Sequence, residues 1–248
     1  LAAAIIGTGI PAQAAPAAHY VALGDSYSAG VGAGSNSGSC GQGPNAYPAL
    51  WAKANASASF TFAACSGATT SDVINSQLSS LNASTTLVSI TIGGNDAGFS
   101  SIMETCVLKS TSSCEGVVAS AEKYVAGTLP GRLNTTLADI RAHAPNAKIV
   151  VLDYPDFYDL SAWLCIGLSG ADHQALDTGI NDLDGVLKAA AAKNGDTFAD
   201  VRAEFSAHEL CGGSSWLNSI TLPIANSYHP TAAGQKDGYL PAFTAAAA

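Results

Sequence analysis

Two side chains 203 positions apart, Ser26 and His229, could between them carry nucleophilic catalysis. A serine hydroxyl is a weak nucleophile until a neighbouring base takes its proton, and a neutral imidazole, with an ordinary pKa near ~6.5, is the usual base at neutral pH. Ser26 stands in V-A-L-G-D-S-Y-S-A-G (Val21 to Gly30), where an apolar run ends and a glycine turns the chain. A serine placed there presents its hydroxyl at a sheet edge, although serines at such positions also serve as helix N-caps. His229 stands in N-S-Y-H-P-T-A-A-G (Asn226 to Gly234). Pro230 suits the start of a helix, so the ring lies at a loop–helix boundary and is free to reach the sheet edge. Asn95, in T-I-G-G-N-D, offers uncharged N–H donors, and Gly67, in A-C-S-G-A-T-T-S-D, offers a main-chain one. Neutral donors of this kind are what a developing oxyanion requires.

These residues need a frame. Short apolar runs at Tyr20 to Leu23, Ser59 to Ala64, Leu87 to Ile92, Lys148 to Leu152 and Thr197 to Val201 suit buried strands. Helical spacing shows between them, at Leu133, Leu137 and Ile140 and again at Leu176, Ile180, Leu183, Leu187 and Ala190. Alternating strand and helix imply a three-layer α/β/α domain around a mostly parallel five-stranded sheet, because parallel strands need long crossovers that cover both faces. In such sheets the functional crevice lies beyond the carboxyl ends of the strands. Ser26, Gly67 and Asn95 all fall just past such ends. Irregular loops are expected at Val31 to Asn45, Ser101 to Gly116, Tyr154 to Ala171 and Phe205 to Ile224, and a final helix over Thr231 to Ala248.

Composition narrows the partners. With 48% hydrophobic and 12% charged residues the 248-residue chain is too apolar to be disordered. Its formal charge of −9 repels polyanions, so no nucleic-acid partner is expected. Residues 1–15 read as the remnant of a signal peptide, with a small-residue site at Ala12-Gln13-Ala14, leaving a single domain over 16–248. The apolar run from Leu1 to Ile10 is far shorter than the ~20 residues that span a bilayer, so no stable membrane anchor is expected. Six cysteines (Cys40, Cys65, Cys106, Cys114, Cys165, Cys211) without a C-x-x-C pair favour disulfides in an exported, extracellular chain. Their spacing alone leaves every pairing open. No His/Asp/Glu cluster has metal-ligand spacing, so a reaction without metal or cofactor is expected. His19, His143, His173 and His208 have no matched partner and read as solvated, while Asp25 and Asp96 read as braces of their turns and Asp153 as a strand end.

The blocks around Ser26, Gly67, Asn95 and His229, in this order, resemble the GDSL-type (SGNH) serine hydrolases. The chain is most similar to the actinobacterial extracellular lipases, phospholipases and esterases of that family. The resemblance implies a flavodoxin-like SGNH fold, with Ser26 as nucleophile and His229 as base. It also implies an oxyanion hole of Ser26, Gly67 and Asn95, and bridges Cys40–Cys65, Cys106–Cys114 and Cys165–Cys211. One position departs from the family pattern. Many members carry an aspartate three residues before the histidine, where this chain has Asn226. Relatives of the actinobacterial type use a main-chain carbonyl instead, so the carbonyl of Ser227 or Asn226 is expected to accept from the imidazole. The apolar loop from Tyr154 to Leu168 could line an acyl pocket, which favours an ester or lipid substrate and a monomeric lipase, esterase or phospholipase A. A carbohydrate acetyl esterase, or a secreted lipid- or carbohydrate-binding module, is the competing reading.

Overall fold

The computed structural model describes residues 17–248; the stretch read as a signal peptide lies outside them. Five strands, β1 (His19–Gly24), β2 (Ser59–Phe62), β3 (Leu87–Thr91), β4 (Lys148–Leu152) and β5 (Thr197–Ala199), form where the five apolar runs fall. They pair in the order β2-β1-β3-β4-β5, every pair parallel. All five residues of β3 are buried, as a strand covered on both faces must be.

The helices, in chain order, are α1 (Ser26–Ala29), α2 (Tyr47–Ala54), α3 (Thr70–Asp72), α4 (Phe99–Leu108), α5 (Thr111–Gly127), α6 (Leu129–His143), α7 (Gly170–Asn194), α8 (Arg202–Phe205) and α9 (Leu240–Ala247). α4 through α7 pack on one another as one layer; α2, α9 and the turn before α9 form the other. The chain leaves β1 toward β2 and leaves β3 toward β4, on the opposite side. This divergence opens a crevice between the carboxyl ends of β1 and β3. Ser26 follows the first of these strands by two residues and Asn95 follows the second by four.

Two segments depart from the sequence reading. Residues 101–116, expected as a loop, are helical except at Lys109 and Ser110. Met103 and Cys106 of α4 and Cys114 and Val118 of α5 turn into the core, and the Ser110 hydroxyl caps α5 by accepting the Ser113 N–H. The C-terminal helix is in two parts. A π-helical turn over Gly234–Tyr239 precedes α9, just ahead of Pro241, which has no N–H to donate and whose ring crowds the turn before it. Gly238 belongs to that turn for a steric reason: a Cβ there would stand 2.3 Å from the Phe205 ring.

Candidate active site

β1 ends at Gly24, whose φ of +116° no side chain adopts comfortably and whose Cβ would collide with the Thr91 carbonyl. Buried Gln77 pairs with both backbone groups of this glycine, accepting its N–H at 2.8 Å and donating to its carbonyl at 2.9 Å. The strand end is thereby fixed, and Ser26 begins α1 with Asp25 as its N-cap. Asp25 accepts from the Tyr27 N–H, the Thr91 hydroxyl and the Tyr154 hydroxyl. Burial raises the Asp25 carboxyl to about 6 against the pull of those donors.

The Ser26 hydroxyl lies 2.8 Å from His229 Nε2. His229 Nδ1 lies 3.0 Å from the Ser227 carbonyl, so Nδ1 carries the proton and Nε2 is left as acceptor. The Asn226 carbonyl accepts the His229 backbone N–H instead, at 3.3 Å. Burial, opposed by the Ser227 carbonyl, lowers the imidazole pKa to about 4. The ring is therefore neutral at pH 7 and able to accept a proton. Tyr228, immediately before it, has a φ of +63°, and this left-handed turn is secured by the Tyr27 hydroxyl donating to its carbonyl at 2.6 Å. Tyr27 and Phe99 flank the imidazole, with ring centroids 5.1 and 6.1 Å away.

Neutral donors gather on the other side. The Cys65–Ala68 loop is tied to the end of β1 by the Cys65 N–H, which donates to the Gly24 carbonyl at 2.9 Å. Within it Gly67 has a φ of +81° and is exposed. Asn95 donates one amide proton to the Ala68 carbonyl at 3.0 Å, leaving the other for a ligand. Asp96 accepts the Thr70 N–H at 2.9 Å and its hydroxyl at 2.6 Å, with Arg132 3.6 Å away, so it clamps the two loops together rather than bracing only its own turn. The N–H groups of Ser26 and Gly67 have no protein acceptor among the described residues.

Ser26 and Asn95 line an apolar cavity shared with Gly94, Phe99, Tyr154 and Phe157. Tyr154 and Phe157 thus bring part of the 154–168 loop to the site. Tyr154, whose hydroxyl accepts from the Gly94 N–H at 3.3 Å while donating to Asp25, links the two strand ends. Sequence reading missed this role, and those of Gln77 and of Gln235, which joins Tyr47 N–H to the Tyr27 carbonyl. Nothing local marks them: Gln77 follows Asn75 and Ser76, Gln235 lies between Gly234 and Lys236, and Tyr154 lies between Asp153 and Pro155. The expectation that His173 is solvated is wrong: it is buried and stacks on Tyr158 at 3.8 Å, next to the bridged Cys165, and burial lowers its pKa. His208 also stacks, on Trp216 at 3.6 Å, whereas His19 and His143 are exposed. The cysteines are joined as Cys40–Cys65, Cys106–Cys114 and Cys165–Cys211.

A parallel sheet whose switch-point crevice holds a serine against an imidazole and an amide defines an α/β carboxylic ester hydrolase. Residues 22–236 match the GDSL-like Lipase/Acylhydrolase family, and the chain belongs to that family. Lipase 1 of Streptomyces coelicolor is 53% identical over 251 residues, 99% of this chain and 93% of that protein. The crystal structure of phospholipase A1 from Streptomyces albidoflavus NA297 superposes with a TM-score of 0.91 at 52% identity, over 94% of this chain and 100% of the other. That of the extracellular lipase from Streptomyces rimosus gives 0.90 at 50% identity, over 92% and 98%. An acetylxylan esterase from Geobacillus stearothermophilus, at 16% identity and a TM-score of 0.54 over 91% of this chain and 92% of its own, shares the fold alone. Among the described residues no helix is long and apolar enough to cross a membrane.

Proposed function

We propose that this chain is a secreted lipase or phospholipase A that cuts carboxylic esters of lipids through an acyl-enzyme on Ser26. The observation that carries the reading is the 2.8 Å contact between Ser26 Oγ and His229 Nε2 at the mouth of an apolar cavity. His229 Nε2 takes the hydroxyl proton as Ser26 Oγ attacks the ester carbonyl carbon. The carbonyl oxygen becomes an oxyanion held by the N–H groups of Ser26 and Gly67 and the Asn95 amide. As the intermediate collapses, His229 returns the proton to the leaving alcohol oxygen. Water, deprotonated by His229, then attacks the acyl carbon and frees the acid and Ser26. The Ser227 carbonyl orients the imidazole in place of a carboxylate. Three disulfides and the leader-like residues 1–15 support export, and the lipid names of half-identical relatives support the substrate class.

A panel of short and long p-nitrophenyl esters, phosphatidylcholine, triacylglycerol and acetylxylan tests the substrate. Long acyl esters should be cut and acetylxylan spared; the reverse would make it a carbohydrate acetyl esterase. In the same assays Ser26→Ala should lower kcat by roughly 10⁶ and Asn95→Ala by about 10²–10³. Substantial activity in Ser26→Ala would remove the serine from the mechanism.

A further inference from the structure

The Ser227 carbonyl that orients the imidazole lies two residues before His229, in the same loop, and moves with it. It fixes the ring against its own backbone but does not fix that backbone against Ser26. The bond also joins neutral partners, about half as strong as one to a carboxylate. Other side chains must therefore hold the loop at the distance that proton transfer requires. Each of the two peptides flanking His229 has one. On the N-terminal side the Tyr27 hydroxyl, next to the nucleophile, donates to the Tyr228 carbonyl at 2.6 Å. On the C-terminal side Asn218 donates twice to the His229 carbonyl, from its main-chain N–H and from its side-chain amide, each at 2.9 Å. The Asn218 carbonyl in turn accepts the Tyr228 N–H at 2.8 Å, and the antiparallel pairing continues to Leu217 and Pro230.

The main-chain bonds pair two segments of one loop region. The side-chain amide does more, because it also donates to the Gly32 carbonyl, at 3.2 Å. Both of its neighbours are carbonyls, so the atom that faces them is the nitrogen. Gly32 in turn moves with the nucleophile, since the Ser26 carbonyl accepts the N–H groups of Gly30 and Val31, both at 3.0 Å. One planar amide thus bridges the loop of the base and the loop of the nucleophile. The approach is close as well as polar: a Cβ on Gly32 would stand 2.8 Å from Asn218 Nδ2 and 2.9 Å from His229 Cβ, so a side chain there would part the two loops.

Resting on the Ser26–His229 mechanism above, we propose that Asn218 is a positioning residue of the reaction: its amide ties the His229 peptide to the Gly32 loop and thereby sets the 2.8 Å contact between Ser26 Oγ and His229 Nε2. It acts through the imidazole and not on the ester. Acylation and deacylation both pass a proton through that ring, so both depend on the bridge, whereas ester binding does not.

The test measures kcat and KM on a water-soluble p-nitrophenyl ester, well below the Tm of each variant. Asn218→Ala removes the two side-chain bonds and keeps the main-chain ones. Its kcat should fall about 10²-fold, the effect of displacing a catalytic group by about 1 Å, while KM stays within about twofold. Asn218→Asp keeps the shape but sets an ionised acceptor against two carbonyls, and should lose at least as much. Gly32→Ala should repeat the kcat loss from the other side of the bridge. Ser215→Ala removes a hydroxyl that braces the same loop on the Leu217 N–H and carbonyl, and should keep its kcat. Loosening the bridge also admits water to the ring, which is flanked by Tyr27 and Phe99 and contacts the Ser26 hydroxyl and the Ser227 carbonyl, none of them charged in acid. The acid limb of kcat/KM in Asn218→Ala should therefore lie above that of the wild type, a shift that a purely structural brace would not produce. An Asn218→Ala enzyme that loses Tm but keeps the wild-type kcat and acid limb, or one in which KM alone rises, would overturn the proposal. If that variant does not fold, the same readings on Asn218→Asp and Gly32→Ala decide. Activity surviving in Ser26→Ala would instead strike the mechanism on which the proposal rests.

Discussion

At the scale of single residues, the imidazole is the part most changed by its surroundings. Burial holds His229 at about 4, so the ring that must accept a proton stays neutral far into acid. An unperturbed histidine would give kcat/KM an acid limb near ~6.5. Here the limb, followed on a water-soluble p-nitrophenyl ester, should fall well below that and toward about 4. A limb at or above the ordinary value would mean that the free enzyme holds the ring more open to water. The Ser227 main-chain carbonyl, 3.0 Å from Nδ1, leaves no side-chain role for Asn226. Asn226→Ala should therefore keep most of its kcat, whereas an enzyme dependent on a carboxylate at that point loses about 10⁴. The contact between Ser26 and His229 was legible through the ordered blocks that resemble the family, since a serine after a glycine turn and a histidine before a proline are each, alone, as well suited to an N-cap or a structural ring. Tyr154 was not, since its partners Asp25 and Gly94 lie 129 and 60 residues away and nothing local marks a phenol that joins two strand ends.

At the scale of elements, strands were easier to read than helices. β1, β3 and β4 are short apolar runs whose burial follows from composition, while β2, expected as buried, lies at the sheet edge and alternates exposed and half-buried residues; α4 and the start of α5 carry Ser, Thr and Cys and show little periodicity. Their helicity comes from packing of α4 on α5 and of α5 on α7, and from the Cys106–Cys114 bridge, which are tertiary causes. The bridges also hold site loops. Cys40–Cys65 anchors the segment that carries Gly67, and the Ser66 N–H donates to the Cys40 carbonyl at 2.9 Å. The bridge spans 25 residues, a loop for which closure entropy alone gives about 3 kcal/mol. The double replacement Cys40→Ala/Cys65→Ala should cost roughly that in urea unfolding. Because the Gly67 N–H is then less fixed, kcat should fall more than KM rises. A loss of stability with kcat untouched would place Gly67 outside the oxyanion hole.

At the scale of the molecule, carboxylates buried behind the sheet edge set how stability responds to pH. Burial raises Asp25 to about 6 and Asp177 to about 7, and it also raises Asp153 and Asp184, which face each other across Arg202. The outer oxygens of Asp153 and Asp184 have no hydrogen-bond donor among the described residues, as expected where two carboxyls share one cation and at least one keeps its proton. An unfolded aspartate titrates near ~3.9. Each raised group therefore stabilises the folded chain fully below that pH and loses this contribution as pH rises through its folded value. His229 has the opposite sign: its contribution is present above ~6.5 and is lost as pH falls toward about 4. Several carboxylates outweigh one imidazole, and the formal charge of −9 adds repulsion as protons leave. Calorimetry should accordingly show Tm falling as pH is raised from about 5.5 to about 8.5. Asp184→Asn imitates the protonated acid at every pH, so it should flatten that fall and raise Tm most at the alkaline end. If the variant loses the same Tm across the whole range, the carboxyl is ionised in the folded chain and Arg202 compensates it fully.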